Sequence, residues 1–325
     1  MTSVPSTRVR FARIDALLLL MAIIWGTNFS VVKRAFAEVN PQAFNAMRMI
    51  IASGVFLAII FVLRRLGARR GAAVAEAGDP DSVASIFHTP APLTRGDWLA
   101  LVGLGVVGHF LYQYCFIGGL ALTSVANSSL ILAATPVTIA LMTGLLGQER
   151  VGRYHWLGAA LSIAGIYIVV GHGAQLRAGA LRGDVLMFAA VCCWAMYTLG
   201  SRPLMRRHSP VGVTGLSMAI GTLLYVASVW SHLRSVAWLS LGLATWGAIV
   251  YSALLALCVA YTIWYAAVRE IGGARTSVYS NLVPIVAMAT AVLFLREPVG
   301  AAQLAGGVAV LAGVALTRVG GSRTG

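Results

Sequence analysis

Residues 126–152 read ANSSLILAATPVTIALMTGLLGQERVG, and residues 274–300 read ARTSVYSNLVPIVAMATAVLFLREPVG. A shift of 148 positions lays Ala126 on Ala274, Ser129 on Ser277, Pro136 on Pro284, Leu145 on Leu293, Glu149 on Glu297 and Gly152 on Gly300. The match continues outward, Trp98 falling on Trp246, Gly158 on Gly306 and Gly165 on Gly313. A second shift, of 169, lays Asp15 on Asp184, Trp25 on Trp194 and Lys33 on Arg202, and the polar connection over residues 64–97 absorbs the difference of 21. The chain holds two copies of one unit, and a repeat of this length decides architecture.

Composition says what the unit is made of. Of 325 residues 59% are hydrophobic and only 10% charged, against about 25% charged in a soluble globular domain. The apolar residues come in blocks of about 20, the length that crosses a bilayer as a helix. Ten candidate spans begin near Ile14, Phe44, Asp97, Leu122, Arg153, Asp184, Pro210, Leu241, Ala274 and Gly300. A barrel would need alternating polarity that is absent, and in lipid every backbone amide must bond internally, so the spans read as helices. The expected fold is an all-α integral membrane protein of ten transmembrane helices. Five per copy is an odd number, so the second copy is expected upside down relative to the first: two inverted five-helix repeats, residues 1–171 and 172–325, with a flexible cytoplasmic loop at 64–97.

Charge reports topology. The 24 basic and 10 acidic residues leave +14, which on a soluble surface would suggest nucleic acid. Here the basic residues sit in short clusters between apolar blocks, so no nucleic-acid partner is expected. With the N-terminus inside, 17 of them fall in cytoplasmic connections and 6 in the opposite set, which places both termini in the cytoplasm of a multi-pass inner-membrane protein. Arg8, Arg10 and Arg13 before an apolar run resemble a signal peptide, but Lys33 and Arg34 follow where a cleavage site would stand, so the first span reads as retained. Cys115, Cys192, Cys193 and Cys258 all lie in apolar blocks, with no disulfide frame and no metal-ligand spacing.

The WGTNF of span 1 (residues 25–29), the NAMRMIIA of span 2 (45–52) and the two long copies resemble the EamA-type family of ten-helix carriers in the drug/metabolite transporter superfamily. The resemblance covers nearly the whole chain, with a longer loop after span 2 than that family usually has. It implies secondary transport of small metabolites or drugs, often export of amino acids and related compounds, without ATP.

Trp25 lies about 15 Å into its helix at 1.5 Å per residue, too deep for an interfacial anchor, and Trp194 matches it in the second copy, with Tyr197 one turn on. Asn28 shares the face of Trp25; it either lines a central cavity or bonds a neighbouring helix. His109, Tyr112, Gln113 and Phe116 share a face of span 3, and the shift lays Gln113 on Tyr261 and Phe116 on Trp264. Such a stripe serves either bundle packing or a small-molecule pocket. His109 is the only histidine deep in a span, and among ionisable side chains it titrates nearest neutrality. Arg48 either snorkels to the surface or faces the bundle to bind a substrate carboxylate. Asn127, Tyr279, Ser280 and Asn281 accompany Pro136 and Pro284, expected hinges where the hydrogen-bond ladder is interrupted. Glu149 and Glu297 read as structural residues near water.

The expected substrate-binding set is Trp25, Asn28, Arg48, His109, Gln113, Trp194, Tyr197, Tyr261, Trp264 and Asn281. Neither cofactor nor metal nor catalytic residue is expected. Lys33 is the only lysine, and Val32 rather than glycine precedes it, so there is no Walker A site. H-E-x-x-H and G-x-S-x-G are absent as well. An intramembrane lipid-modifying enzyme and a multidrug exporter are the rival functions. A small-molecule substrate and membrane lipid are the expected partners, and the chain is expected as a monomer or homodimer.

Overall fold

The computed structural model describes residues 13–69, 87, 92–145, 153–174, 178–271, 276 and 279–321, and among these the only regular structure is helical. Helix α1 spans Arg13–Ala35 and α2 Pro41–Arg69. Helix α3 spans Arg95–Leu122 and is π-helical over Gly105–Leu111. Then come α4 (Val125–Leu132), α5 (Thr135–Leu145), α6 (Arg153–Ala174), α7 (Ala178–Met205), α8 (Pro210–Ser228) and the short α9 (Trp230–Ser235). Helix α10, Leu243–Ala267, is π-helical over Ser252–Val259. Helix α11 spans Leu282–Leu295, and α12 spans Ala301–Gly321. Glu149, Gly152, Ala274, Ser277 and loop residues 70–86 and 88–91 lie outside the described residues.

Six helices among the described residues, α1, α2, α3, α7, α8 and α10, are long and apolar enough to cross a membrane; shorter apolar stretches lie in α4–α5, α6, α11 and α12. The outer faces agree with a bilayer. Leu99, Leu223, Leu293 and Val308 are each at least 70% exposed, a placement that costs little in lipid but would be a liability in water.

The helices begin where local chemistry satisfies their free amides. The Asn40 carboxamide oxygen accepts from the N–H of Gln42 and Ala43. Thr94 and Asp97 form a reciprocal capping box at the start of α3. Ser209 caps α8, with Pro210 at its first position. Helix α2 runs to Arg69, past the expected start of the polar loop at residue 64, and Phe87 and Leu93 pack on the core.

Bonds at the helix ends fix their directions. The Lys33 ammonium, at the C-terminal end of α1, donates to the carbonyls of Leu120, Ala121 and Thr123 at the C-terminal end of α3. The Thr123 hydroxyl donates to Asp184 at the start of α7 at 2.6 Å. At the other end of α3, Asp97 pairs with Arg207 and His208, just past α7. Helices α1 and α3 are therefore parallel and α7 antiparallel to both. Glu38, after α1, accepts from Thr245 and the Gly242 N–H at the start of α10, so α10 also runs opposite to α3. The Thr245 hydroxyl and the Gly242 amide hold the Glu38 carboxyl below its ordinary pKa.

Helices α6 and α12 pack backbone against backbone. A Cβ built on Gly165 would stand 2.7 Å from the Gly306 carbonyl, and one on Gly306 2.7 Å from the Gly165 carbonyl. Only glycine lets the two backbones approach this closely.

Candidate functional site

Two helices carry the centre of the molecule, and both change pitch there. The π-helical residues 105–111 of α3, moved by 148, become 253–259, inside the π-helical stretch of α10. A π turn replaces the i→i+4 bond with i→i+5 and disturbs the carbonyl ladder. In α10 the Ala256 carbonyl accepts from the indole N–H of Trp25 at 3.0 Å.

Around this point the aromatic residues meet. The Trp25 ring lies 5.9 Å from Tyr261, edge to face, and 5.7 Å from Trp264. Trp194 lies 5.1 Å from Tyr112, 5.6 Å from Tyr197 and 5.4 Å from Tyr261. His109 stands edge-on to Tyr197 at 5.0 Å and 6.4 Å from Tyr261. A Cβ on Gly108 would overlap the Tyr197 ring, so α3 carries glycine where α7 leans on it. Four helices, α1, α3, α7 and α10, thus contribute to one continuous aromatic cluster.

Arg48 enters beside it from α2 and is 1% exposed. Its Nε donates to Asn45 Oδ1 at 2.5 Å, Nη1 to Ser252 Oγ at 2.7 Å, and Nη2 to Gln113 Oε1 at 2.7 Å. All three acceptors are neutral, and among the described residues no carboxylate bonds it. The side chain faces the bundle, and the snorkelling alternative is overturned: the guanidinium is held inward by groups on α2, α3 and α10. Ser252 stands one helical turn before Ala256, so Arg48 and Trp25 grip α10 at adjacent turns.

The sequence-derived residues fall into three groups. Trp25, His109, Trp194, Tyr197, Tyr261 and Trp264 come together as the aromatic cluster, and Arg48 and Gln113 as the polar centre beside it. Asn28 is buried, Asn281 is half-buried, and the side-chain oxygen of each has no partner among the described residues; no hydrogen bond or ring contact ties either to the cluster. Both ring nitrogens of the fully buried His109 are likewise unpartnered there. Pro136 and Pro284 each follow a helix interruption: α4 ends at Leu132 and α5 begins at Thr135, while a turn at Asn281 precedes α11.

Sequence reasoning missed three members of this site. Asn45 sits three residues before Arg48, one helical turn away, and that spacing was its available signal. Tyr265 adjoins Tyr197 and Tyr261 at 6.5 Å each and stands one turn after Tyr261. Ser252 carried no signal, because the shift by 148 lays it on Leu104.

Glu297 holds a structural position. Arg296 adopts a left-handed conformation, φ 53°, which few non-glycine residues do. This turn ends α11 and lets the Glu297 carboxylate accept the Val125 N–H at the start of α4 at 2.9 Å. The bond favours a structural reading over ion coupling.

Known proteins agree with this architecture. The chain is 25% identical over 310 residues to the uncharacterized transporter YyaM of Bacillus subtilis, covering 94% of this chain and 93% of that one. It is 26% identical over 315 residues to a Salmonella typhimurium protein named a probable amino-acid metabolite efflux pump, with 92% of each covered. A solved crystal structure superimposes with a TM-score of 0.60 at 19% identity, over 96% of this chain and 99% of that one, which shows a shared fold. The sequence matches the EamA-like transporter family over residues 12–74, 82–171 and 181–319. With nearly the whole chain matched, and an apolar-faced helical bundle to house it, the protein belongs to the EamA-like transporter family.

Proposed function

We propose that the chain is a ten-helix secondary transporter that exports amino acids or related carboxylate-bearing metabolites across the cytoplasmic membrane by alternating access, with both termini in the cytoplasm. The inverted arrangement is supported by direction: α1 and its counterpart α7 run antiparallel, as do α3 and its counterpart α10. Opposed repeats of this kind can open a central site to either side in turn.

One observation carries the substrate reading. Arg48 is a buried cation with only neutral protein partners, and ionisable residues at such depth commonly mark a substrate pathway. A carboxylate is its natural complement, in bidentate geometry. The adjoining Trp25, Trp194, Tyr261 and Trp264 offer apolar surface for the rest of a small molecule, and His109 within the cluster carries two ring nitrogens without a partner among the described residues. The aromatic surface alone would also suit lipophilic drugs, but a cationic drug finds no acidic counter-charge beside Arg48. Pro136 and Pro284 serve in this reading as hinges. The relative named as an amino-acid metabolite efflux pump agrees with the substrate class.

The test is uptake into proteoliposomes from a mixed panel of amino acids, their decarboxylated amines and multivalent cations. The expected result is transport of the carboxylate-bearing members by wild type and a loss of at least tenfold in Arg48→Ala, with Arg48→Lys intermediate because a point charge replaces a planar fork. Preferred transport of the amines or cations would overturn the reading.

A further inference from the structure

The three partners of Arg48 come from both repeats: Asn45 on α2 and Gln113 on α3 from residues 1–171, Ser252 on α10 from residues 172–325. Each presents one neutral oxygen to one guanidinium nitrogen, the face a carboxylate would fill with two oxygens at once. Gln113 and Ser252 hold Nη2 and Nη1, the pair that a bidentate carboxylate takes end-on, while Asn45 holds Nε from the preceding turn of the same helix.

We propose that Gln113 and Ser252 are internal stand-ins for the substrate carboxylate, satisfying Arg48 while the carrier is unloaded and yielding their places when substrate arrives. The proposal rests on Arg48 as the carboxylate receptor. Its physical basis is that a buried cation left unpaired is costly, so a carrier must keep Arg48 satisfied throughout its cycle. The loaded carrier does so with substrate. Net transport also requires the unloaded carrier to return, and on that leg the protein supplies the acceptors. Exchange of one substrate for another never passes through the unloaded return. The stand-ins therefore matter to net flux and much less to exchange. The Arg48–Ser252 bond also joins the two repeats, so a substrate carboxylate that displaces it releases a tie between the parts that must move.

Two variants separate this from a packing role. In Ser252→Ala one stand-in is gone, and the ratio of exchange to net efflux, measured in the same proteoliposomes with and without unlabelled solute on the opposite side, should rise roughly tenfold, about the worth of one hydrogen bond to a charged group. In Gln113→Glu the stand-in becomes a permanent carboxylate that outcompetes substrate, so half-saturation for carboxylate solutes should rise more than tenfold. Each variant is first checked for a cooperative melting transition in detergent, and both readouts, a ratio and a half-saturation, are independent of the amount of folded protein. Equal losses of exchange and net efflux in Ser252→Ala, or unchanged half-saturation in Gln113→Glu, would overturn the proposal. A wild type that moves no carboxylate-bearing solute would instead remove the assignment of Arg48 itself, a separate result.

Discussion

Arg48 and Trp25 take their orientation from the acceptors they meet. Both turn inward to α10: a serine hydroxyl for the guanidinium and a backbone carbonyl for the indole. The Trp25 bond gives a direct prediction. Trp25→Phe keeps an aromatic surface but removes the indole bond to the Ala256 carbonyl, at a cost of about 1 kcal/mol. Thermal unfolding in detergent should register that loss, and an unchanged midpoint would mean that α10 finds another donor. Arg48, Gln113 and the aromatic residues were legible as candidates because charge, amide and ring are rare in apolar blocks. Ser252 was not: a small residue in such a block reads as packing, and its partner in the repeat is a leucine. Asn28 shares the helix face of Trp25 by its spacing, but among the described residues its side-chain oxygen meets no partner, and periodicity names a face and not what stands opposite.

The helices were legible in outline because blocks of about 20 apolar residues admit few alternatives in lipid. Ser209 before Pro210, and Thr94 three residues before Asp97, place two of their starts. The helices break a little upstream of Pro136 and Pro284, because a proline ring crowds the carbonyl four residues earlier. The π-helical stretches were not foreseen. One extra residue per turn leaves no mark on composition, yet it sets the register of α10 and so the position of Ser252 relative to Ala256. The glycines shared by α6 and α12 bring the two helices together backbone to backbone. Gly306→Ala would press a methyl group against the Gly165 carbonyl and the Val169 side chain, an overpacking worth about 1 to 3 kcal/mol. A lowered melting temperature is the expected outcome, whereas an unshifted one would show that the pair separates easily.

For the whole molecule, the repeat was visible in sequence because two copies keep the same residues at the same spacing. Bonds at the helix ends give the antiparallel run of α1 and α7, and of α3 and α10, and this supports the proposed inversion. Orientation in the membrane is the remaining whole-molecule expectation, resting on the 17 to 6 distribution of basic residues. A membrane-impermeant thiol reagent on intact cells should label Ala37→Cys, an exposed position after α1, above the wild-type background, and should leave Arg206→Cys, an exposed position after α7, at background. The reverse pattern would turn the protein over. The Lys33 contact has a consequence of another kind. The chain contains a single lysine, and its amine is engaged by the carbonyls that close one end of α3. An amine-directed acylating reagent therefore meets only one lysine, and that amine is held until those carbonyls let go. Its acylation rate is a built-in clock for the opening of that end, readable in the unmutated protein.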